Sequence, residues 1–374
     1  MKTSYSLALT ALLSSSSAFA MQQDESSLMD DILTKLGSSE TVDESKLIDW
    51  GVLPGPFVNP EQGFGIGVAA VGLYTPYDWQ KGDPYSTVTV TSYGSTSGSY
   101  GLGLNNRTYL KNDKVRLLGE AWISHTPGYY WGIGSQAAEN ENNKVQYEGQ
   151  RLQLSPKIAV EVAPNTYAKL GWQWQSFSKV DGVDGDILPS EVADATSSGV
   201  LVGMEYDTRD FEPNPMRGQF LDIEWIANRD SLGSDEDYDN LVANYRVYQQ
   251  WSDTTIIAME VYSQSIFGDA PWFDYAQLGD DQRMRGYYQG QYRDKHQLST
   301  QVEIRHTIAG RHGVVGWLGA GNIAPTYHDL FKSSWLPTVG VGYRFAFKAR
   351  INVRVDLGVG KDSTGFYFQI NEAF

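Results

Sequence analysis

The chain has 374 residues, with 29 Lys+Arg against 45 Asp+Glu, a formal net charge of −16 and no cysteine. Without a basic surplus to neutralise phosphates it is not a general nucleic-acid binder, and without cysteine it has no disulfide framework, thiolate metal site or cysteine nucleophile. No run of about 18 apolar residues occurs, which excludes a helical membrane protein, while 38 Gly, 23 Tyr and 11 Trp suit an all-β chain.

Residues 1–20, MKTSYSLALTALLSSSSAFA, combine one Lys, a short apolar stretch and Ala18-Phe19-Ala20. This is the pattern of a secretory signal peptide with a small-x-small cleavage site. Export would start the mature chain at Met21 and remove Lys2 but no acidic residue, taking the charge from −16 to −17. Residues 21–49 form an acidic periplasmic leader. Ser27 can cap a short helix with Asp30 three residues on and Gly37 as its stop. Leu28, Ile32 and Leu36 share one face of that helix. Two readings stay open, a mobile tail and a small plug at a barrel mouth.

From residue 50 to residue 374 the pattern has period two. Ile351, Val353, Val355, Leu357 and Val359 share one face, opposite Asn352, Arg354, Asp356, Gly358 and Gly360. Val339, Val341, Tyr343, Phe345 and Phe347 alternate in the same way with Gly340, Gly342, Arg344 and Ala346, and Phe366, Phe368, Ile370 and Phe374 continue the apolar face. Sixteen such segments are expected, at 52–58, 64–76, 85–95, 99–110, 114–125, 147–162, 166–177, 197–207, 218–229, 240–251, 254–265, 297–308, 313–322, 337–347, 351–361 and 364–374. Long connections at 126–146, 178–196, 266–296 and 323–336 fall on one side. Tight ones at Lys111-Asn112-Asp113, near Asp253 and at Lys348-Ala349-Arg350 fall on the other. With an export signal, this pattern predicts a 16-stranded antiparallel transmembrane β-barrel, an all-β fold with both ends in the periplasm.

Other motifs carry no chemistry. Gly65-Ile66-Gly67-Val68-Ala69-Ala70 matches a loose dinucleotide fingerprint, but no helix follows and no acidic residue stands about 20 positions on. Gly94-Ser95-Thr96-Ser97-Gly98 has Thr where a nucleophile elbow needs Ser. Asp181, Asp184, Asp186, Glu191 and Asp194, and Asp235, Glu236, Asp237 and Asp239, miss the spacing of a calcium loop. His125, His296, His306, His312 and His328 lack the i, i+4 helical spacing of a zinc site. No catalytic set, metal or cofactor is expected.

The connection 266–296 is long and charged. It carries Arg283, Arg285, Arg293 and Lys295 beside Tyr287, Tyr288 and Tyr292. Within it, Arg285-Gly286-Tyr287 follows Leu278-Gly279 and precedes Gln301-Val302-Glu303-Ile304-Arg305. Together with Asp207-Thr208-Arg209-Asp210 through Pro215, Arg217 and Gly218, with Pro54 to Gly65, and with Arg354-Val355-Asp356-Leu357-Gly358 to Phe374, it resembles the outer-membrane assembly-factor superfamily of BamA- and TamA-like barrels, the bacterial surface antigen family. The match covers 52–374.

That resemblance implies a loop folded back into the lumen, with Arg285 at the tip of an Arg-Gly-aromatic motif paired to inward carboxylates. Glu303, between Val302 and Ile304, and Asp356, between Val355 and Leu357, stand on the required face, and a guanidinium suits them as a fork. Gly319 departs from the family, where many members carry an aspartate. Relatives also carry periplasmic docking domains of about 75 residues, for which the stretch before the first strand leaves no room, so a barrel-only member is expected and an assembly role is an analogy.

Closure of the barrel joins the first strand to the last at a seam of Pro54, Pro56 and Phe374. Prolines lack N–H groups, so if both face the last strand the seam is weakened; if they face the second strand it is not. The first functional expectation is a non-enzymatic barrel in the outer membrane of a Gram-negative bacterium. It would assist assembly or translocation of a client protein or lipid, with outer-membrane lipid and lipopolysaccharide as surroundings. The alternative is a passive cation-preferring channel drawing on Glu205, Asp207, Asp222, Glu224 and Glu260. The client and the oligomeric state have no sequence signature.

Overall fold

A computed structural model describes residues 34–38, 41–59, 62–348 and 350–374. The expected signal peptide, the start of the expected leader helix and Ala349 lie outside the described residues. Nineteen strands follow in chain order: β1 (Asp49–Asn59), β2 (Gly63–Tyr74), β3 (Ser86–Ser95), β4 (Tyr100–Leu110), β5 (Val115–His125), β6 (Gly128–Tyr130), β7 (Val145–Ala163), β8 (Thr166–Gly182), β9 (Ala195–Asp207), β10 (Gly218–Asn228), β11 (Tyr238–Ser252), β12 (Thr255–Gly268), β13 (Ala276–Gln277), β14 (Arg293–Asp294), β15 (His296–Ala309), β16 (His312–Ala324), β17 (Leu336–Lys348), β18 (Ile351–Val359) and β19 (Thr364–Ile370). Setting aside the short β6, β13 and β14, sixteen of them pair antiparallel with their chain neighbours, and β19 meets β1 to close the barrel. The sixteen-stranded fold is borne out. Among the described residues no helix is long and apolar enough to cross a membrane.

The alternation sets which way each side chain points. On β16 and β17, Val314, Leu318, Val339 and Val341 are exposed on the outer face, while Trp317 and Thr338 are buried inside. Outer aliphatics of this kind suit lipid and inner polar groups suit a wet lumen. β7 and β8 run well past the expected ends, to 145–163 and 166–182, and lift the wall above the neighbouring strands on the side of the long loops.

Three expectations are corrected. The connections between β1 and β2, at 96–99 and at 360–363 are short although they lie on the side of the long loops, and 75–85 and 208–217 are longer than the tight turns beside them. The last strand ends at Ile370, not Phe374. Phe374 turns into the barrel, where it packs on Tyr248 with Ala258 and Ala373, and the Arg305 guanidinium lies 5.4 Å from its ring. It is neither lipid-facing nor part of the seam, because the chain leaves the ladder once Asn371 donates to the Asn352 carbonyl at 2.8 Å.

Candidate functional site: an anchored loop and an overlapped seam

The connection after β12 folds back inside the barrel. Its stem is the two-stranded pair Ala276↔Asp294 and Gln277↔Arg293. Leu278, Met284, Tyr287 and Tyr292 form a buried apolar cluster with Ala138, Ile323 and Leu336, which ties the loop to the barrel wall and to the helix Ser135–Ala138. Burial of such side chains contributes about 1.5–3 kcal/mol each, so the loop is held by packing before any charge is considered.

At its tip Arg285 is fully buried. One guanidinium nitrogen donates to Asp356 Oδ2 at 2.6 Å and the other to Glu303 Oε2 at 2.6 Å. The guanidinium also stands 3.6 Å from the centre of the Trp317 ring, a cation–π contact. The Arg285 carbonyl accepts from Thr338 Oγ1 at 2.6 Å.

The next residue must be glycine. Gly286 has φ +105°, and a Cβ there would sit 2.7 Å from the Gly360 nitrogen. Gly358 reciprocates, since a Cβ on it would meet the Arg285 backbone at 2.8 Å. The Gly286 N–H donates to Tyr367 Oη at 2.9 Å. Tyr287 Oη donates to the Pro337 carbonyl at 2.6 Å and accepts from the Lys361 N–H at 2.9 Å. Arg285, Gly286 and Tyr287 therefore bind five consecutive strands, β15 to β19.

The two carboxylates serve other cations as well. Asp356 accepts from Arg344 at 2.6 Å and Arg354 at 2.9 Å, and Glu303 accepts from Arg305 at 2.8 Å. Glu372, on the inturned end of the chain, accepts from Arg344 at 2.7 Å, and Asp281 of the loop takes Arg354 at 3.1 Å. Four guanidiniums thus face four carboxylates, which makes the buried cluster nearly neutral. Arg344 and Arg354 were visible as inner-face residues by alternation, but Trp317, Thr338 and Tyr367 carried no signal beyond their parity. Gly319 leaves no room for the family's aspartate, because a Cβ there already meets the Thr300 carbonyl at 2.7 Å.

The opposite wall holds a second set of charges. Arg116 of β5 pairs with Glu205 and Asp207 of β9 and with Asp113. Lys169 of β8 pairs with Asp222 and Glu224 of β10, and Lys157 of β7 adds to Glu224 at 2.9 Å. Arg209 takes Asp207 at 2.9 Å, and Glu260 is shared by Arg246 and Arg283. All five carboxylates expected to attract cations therefore have a basic partner. Among the described residues no group of His, Asp and Glu is arranged to hold a metal ion.

The seam differs from every other strand pair. β1 and β2 are in register from Asp49↔Leu73 to Asn59↔Gly63, whereas among the described residues β1 and β19 share the single pair Val58↔Phe366. The direction of the prolines follows from one bond. The Val52 N–H donates to the Leu36 carbonyl at 2.8 Å, so it points away from β2. Backbone N–H directions alternate along a strand. Pro54 and Pro56, two and four residues on, thus direct their missing donors away from β2 and towards β19.

Below the one paired position the two edges overlap. Leu53, on the inner face of β1, packs against Phe347, Val353, Phe368 and Ile370, and Val71 and Leu73 of β2 pack with Ile351 and Ile370. Phe368 and Ile370 share the outer face of β19 with Phe366. The inner face of the N-terminal edge therefore lies over the outer face of the C-terminal edge. Gly55 makes the approach close, since a Cβ there would fall 2.0 Å from the Phe368 ring. The described part of the leader seals the same place: Leu36 joins the cluster, Ser38 Oγ donates to the Phe347 carbonyl at 2.6 Å, and Lys348 pairs with Asp49 at 2.7 Å.

Residues 82–322 match the Omp85 superfamily domain. The chain belongs to the Omp85 superfamily. The Omp85 fold of this protein is similar to CdiB from Escherichia coli, with a TM-score of 0.61 and 10% identity over 88% of this chain and 63% of that one. It is also similar to BamA from Haemophilus ducreyi lacking POTRA domains 1–3, with a TM-score of 0.53 and 13% identity over 93% and 77%. CdiB from Acinetobacter baumannii gives a TM-score of 0.56 and 14% identity over 87% and 60%. This chain therefore spans less than two thirds of the CdiB chains. No curated protein matches it. An Omp85 barrel with an exposed apolar outer face is a transmembrane β-barrel, and its Gram-negative relatives reside in the outer membrane.

Proposed function

We propose that this Omp85 barrel is a non-enzymatic outer-membrane protein that assists the assembly or translocation of a client protein or lipid. The loop tipped by Arg285 plugs the lumen, and the β1–β19 seam opens sideways to the bilayer. One observation carries this reading. Among the described residues the seam has a single ladder pair, and two prolines stand on the edge that faces it. An unsatisfied backbone donor in hydrocarbon costs several kcal/mol. An edge that has already lost two donors exposes fewer such groups when it separates, and the overlapped apolar contacts can slide without breaking hydrogen bonds.

The chain has no cysteine, so Val58→Cys with Phe366→Cys would introduce its only thiols. Directly opposed residues in an antiparallel pair lie within disulfide reach. The double variant should restore the permeability barrier of a deletion strain under reducing conditions and fail to restore it once oxidised. Equal rescue in both states would show that the seam stays shut in function.

The cation-channel alternative loses its main support, because Glu205, Asp207, Asp222, Glu224 and Glu260 are all neutralised by arginines or lysines.

A further inference from the structure

The upper lumen contains a polar cavity of about 480 Å³ between the loop and the walls formed by β3, β5, β7, β8, β11, β12 and β15. A neighbouring cavity of about 390 Å³ runs to the seam and shares with it Gln62, Tyr93, Trp122, Asp280 and Gln289. Both lie within the roughly 300–1,000 Å³ of small-molecule sites. Three observations fix their chemistry.

The first is a row of three aromatic rings. Phe57, Tyr93 and Trp122 follow one another on alternate strands, with centroids 6.0 Å and 5.9 Å apart, Phe57 standing edge-on to Tyr93 at 75°. Each ring lies against a glycine of an adjacent strand. A Cβ would stand 2.2 Å from the Phe57 ring at Gly65, 2.7 Å from Tyr93 at Gly101 and 2.1 Å from Trp122 at Gly103. The glycines let the rings lie against the wall, with Tyr93 and Trp122 nearly parallel at 23°.

The second is the opposite wall, which is rich in amides. Gln153, Gln173, Gln175, Gln264 and Gln297 line the cavity from four strands. Buried Gln297 Oε1 and Asn240 Oδ1 there have no hydrogen-bond partner, nor has Arg151 Nε. Unmet buried polar groups of this kind cost about 1–3 kcal/mol each, and a side-chain rotation into the cavity would bring them to a ligand's hydroxyls.

The third is charge. Glu224 is held by Lys157 and Lys169, Arg283 by Glu260, and Arg151 by the amide oxygens of Gln153 and Gln175 at 3.0 and 2.9 Å. Arg293 is held by the Gly290 and Trp272 carbonyls, and Asp274 by Gln175 and Tyr238, so three guanidiniums and three carboxylates line the cavity and its formal charge sums to zero. The strands that wall the larger cavity are paired on both edges, so an extended peptide finds backbone to add to only where the smaller cavity reaches the β1–β19 seam.

We propose that these joined cavities bind a saccharide chain. The apolar faces of its pyranose rings would lie on Tyr93 and Trp122 with Phe57 edge-on beside them, and its hydroxyls would engage Gln297, Asn240 and Arg151. The amide side chain offers both a donor and an acceptor, which suits vicinal hydroxyls. The site does not depend on the seam opening. Its ligand is either a free glycan or the sugar portion of an outer-membrane glycolipid, and the two share this chemistry.

The test is calorimetric titration of the full chain in detergent micelles with maltohexaose and, separately, with core oligosaccharide released from lipopolysaccharide. Saturable binding of either supports the site. Binding of maltohexaose alone identifies a free glycan, and binding of the core alone identifies the glycolipid sugar. Trp122→Leu and Gln297→Leu should each weaken binding at least tenfold, while Trp172→Leu, which removes an indole from the outer face, should leave it unchanged. Heat-modifiable migration on a gel checks folding, and the Gln297 variant decides the matter if the Trp122 variant fails to fold. Absence of saturable binding to both sugars, or an equal loss in Trp172→Leu, would overturn the proposal.

Discussion

Arg285 donates to Asp356 at 2.6 Å across 71 residues of sequence, with both side chains fully buried. A pair like this contributes little net stability relative to an apolar one, because both ions lose their hydration. Its removal on one side is costly. Arg285→Ala would leave Asp356 to Arg344 and Arg354 and Glu303 to Arg305, so the loss should fall below the about 3–5 kcal/mol of a buried charge stripped of every partner. The expected result is a lower temperature for loss of the heat-modifiable folded band. Arg285→Lys should fail to restore it, since an ammonium cannot bridge two carboxylates as a planar fork.

Gly286→Ala tests the backbone separately from the charge. The residue has φ +105°, and its Cβ would collide with the backbone of Gly358 and Gly360. The β18 wall cannot yield without losing its ladder to β19, so the loop tip should move instead. Limited trypsin digestion at Arg283 and Arg285 should accelerate while the barrel strands stay protected. An unchanged cleavage pattern would show that the tip tolerates a methyl group.

Leu53→Ala addresses the overlap. Leu53 is buried although it belongs to an edge strand with one ladder pair on that side. Loss of a buried leucine side chain typically costs about 2–5 kcal/mol. The variant should raise amide exchange in β1 and β19 and leave β8 and β9 unchanged. The same substitution at outward-facing Leu104, which is 45% exposed, should have no such local effect.

Lys169→Met tests the charge balance on the far wall. Lys169 neutralises Asp222, Glu224 and Glu205, and Lys157 reaches only Glu224 among them. Planar-bilayer recordings should show a shift towards cation selectivity in the variant, combined with Arg285→Ala to open the lumen. No shift would mean that the three carboxylates lie off the ion path.

The alternation of apolar and polar residues was enough to count sixteen strands and to place Glu303, Asp356, Arg344 and Arg354 on the inner face, because period two is a local property of the chain. Strand ends were less legible. β7 and β8 extend as far as they do because they pair with each other above the rest of the wall, and Phe374 keeps the outer-face parity of Phe366 although the chain has already left the ladder. Pro54 and Pro56 showed that two donors were missing, but not on which side, since that depends on which neighbour takes the odd-numbered N–H groups.

Only the tertiary structure decided that the two edges overlap and that Leu53, by parity an inner-face residue, faces the outside of β19. It also set Trp317 under Arg285 and aligned Phe57, Tyr93 and Trp122 into one row. Each of these joins residues far apart in sequence through closure of the sheet. Composition, −16 charge and alternation fixed which residues could face lipid, lumen or loop. Register and closure decided which of them meet, because contacts across a closed sheet depend on where every intervening strand begins and ends.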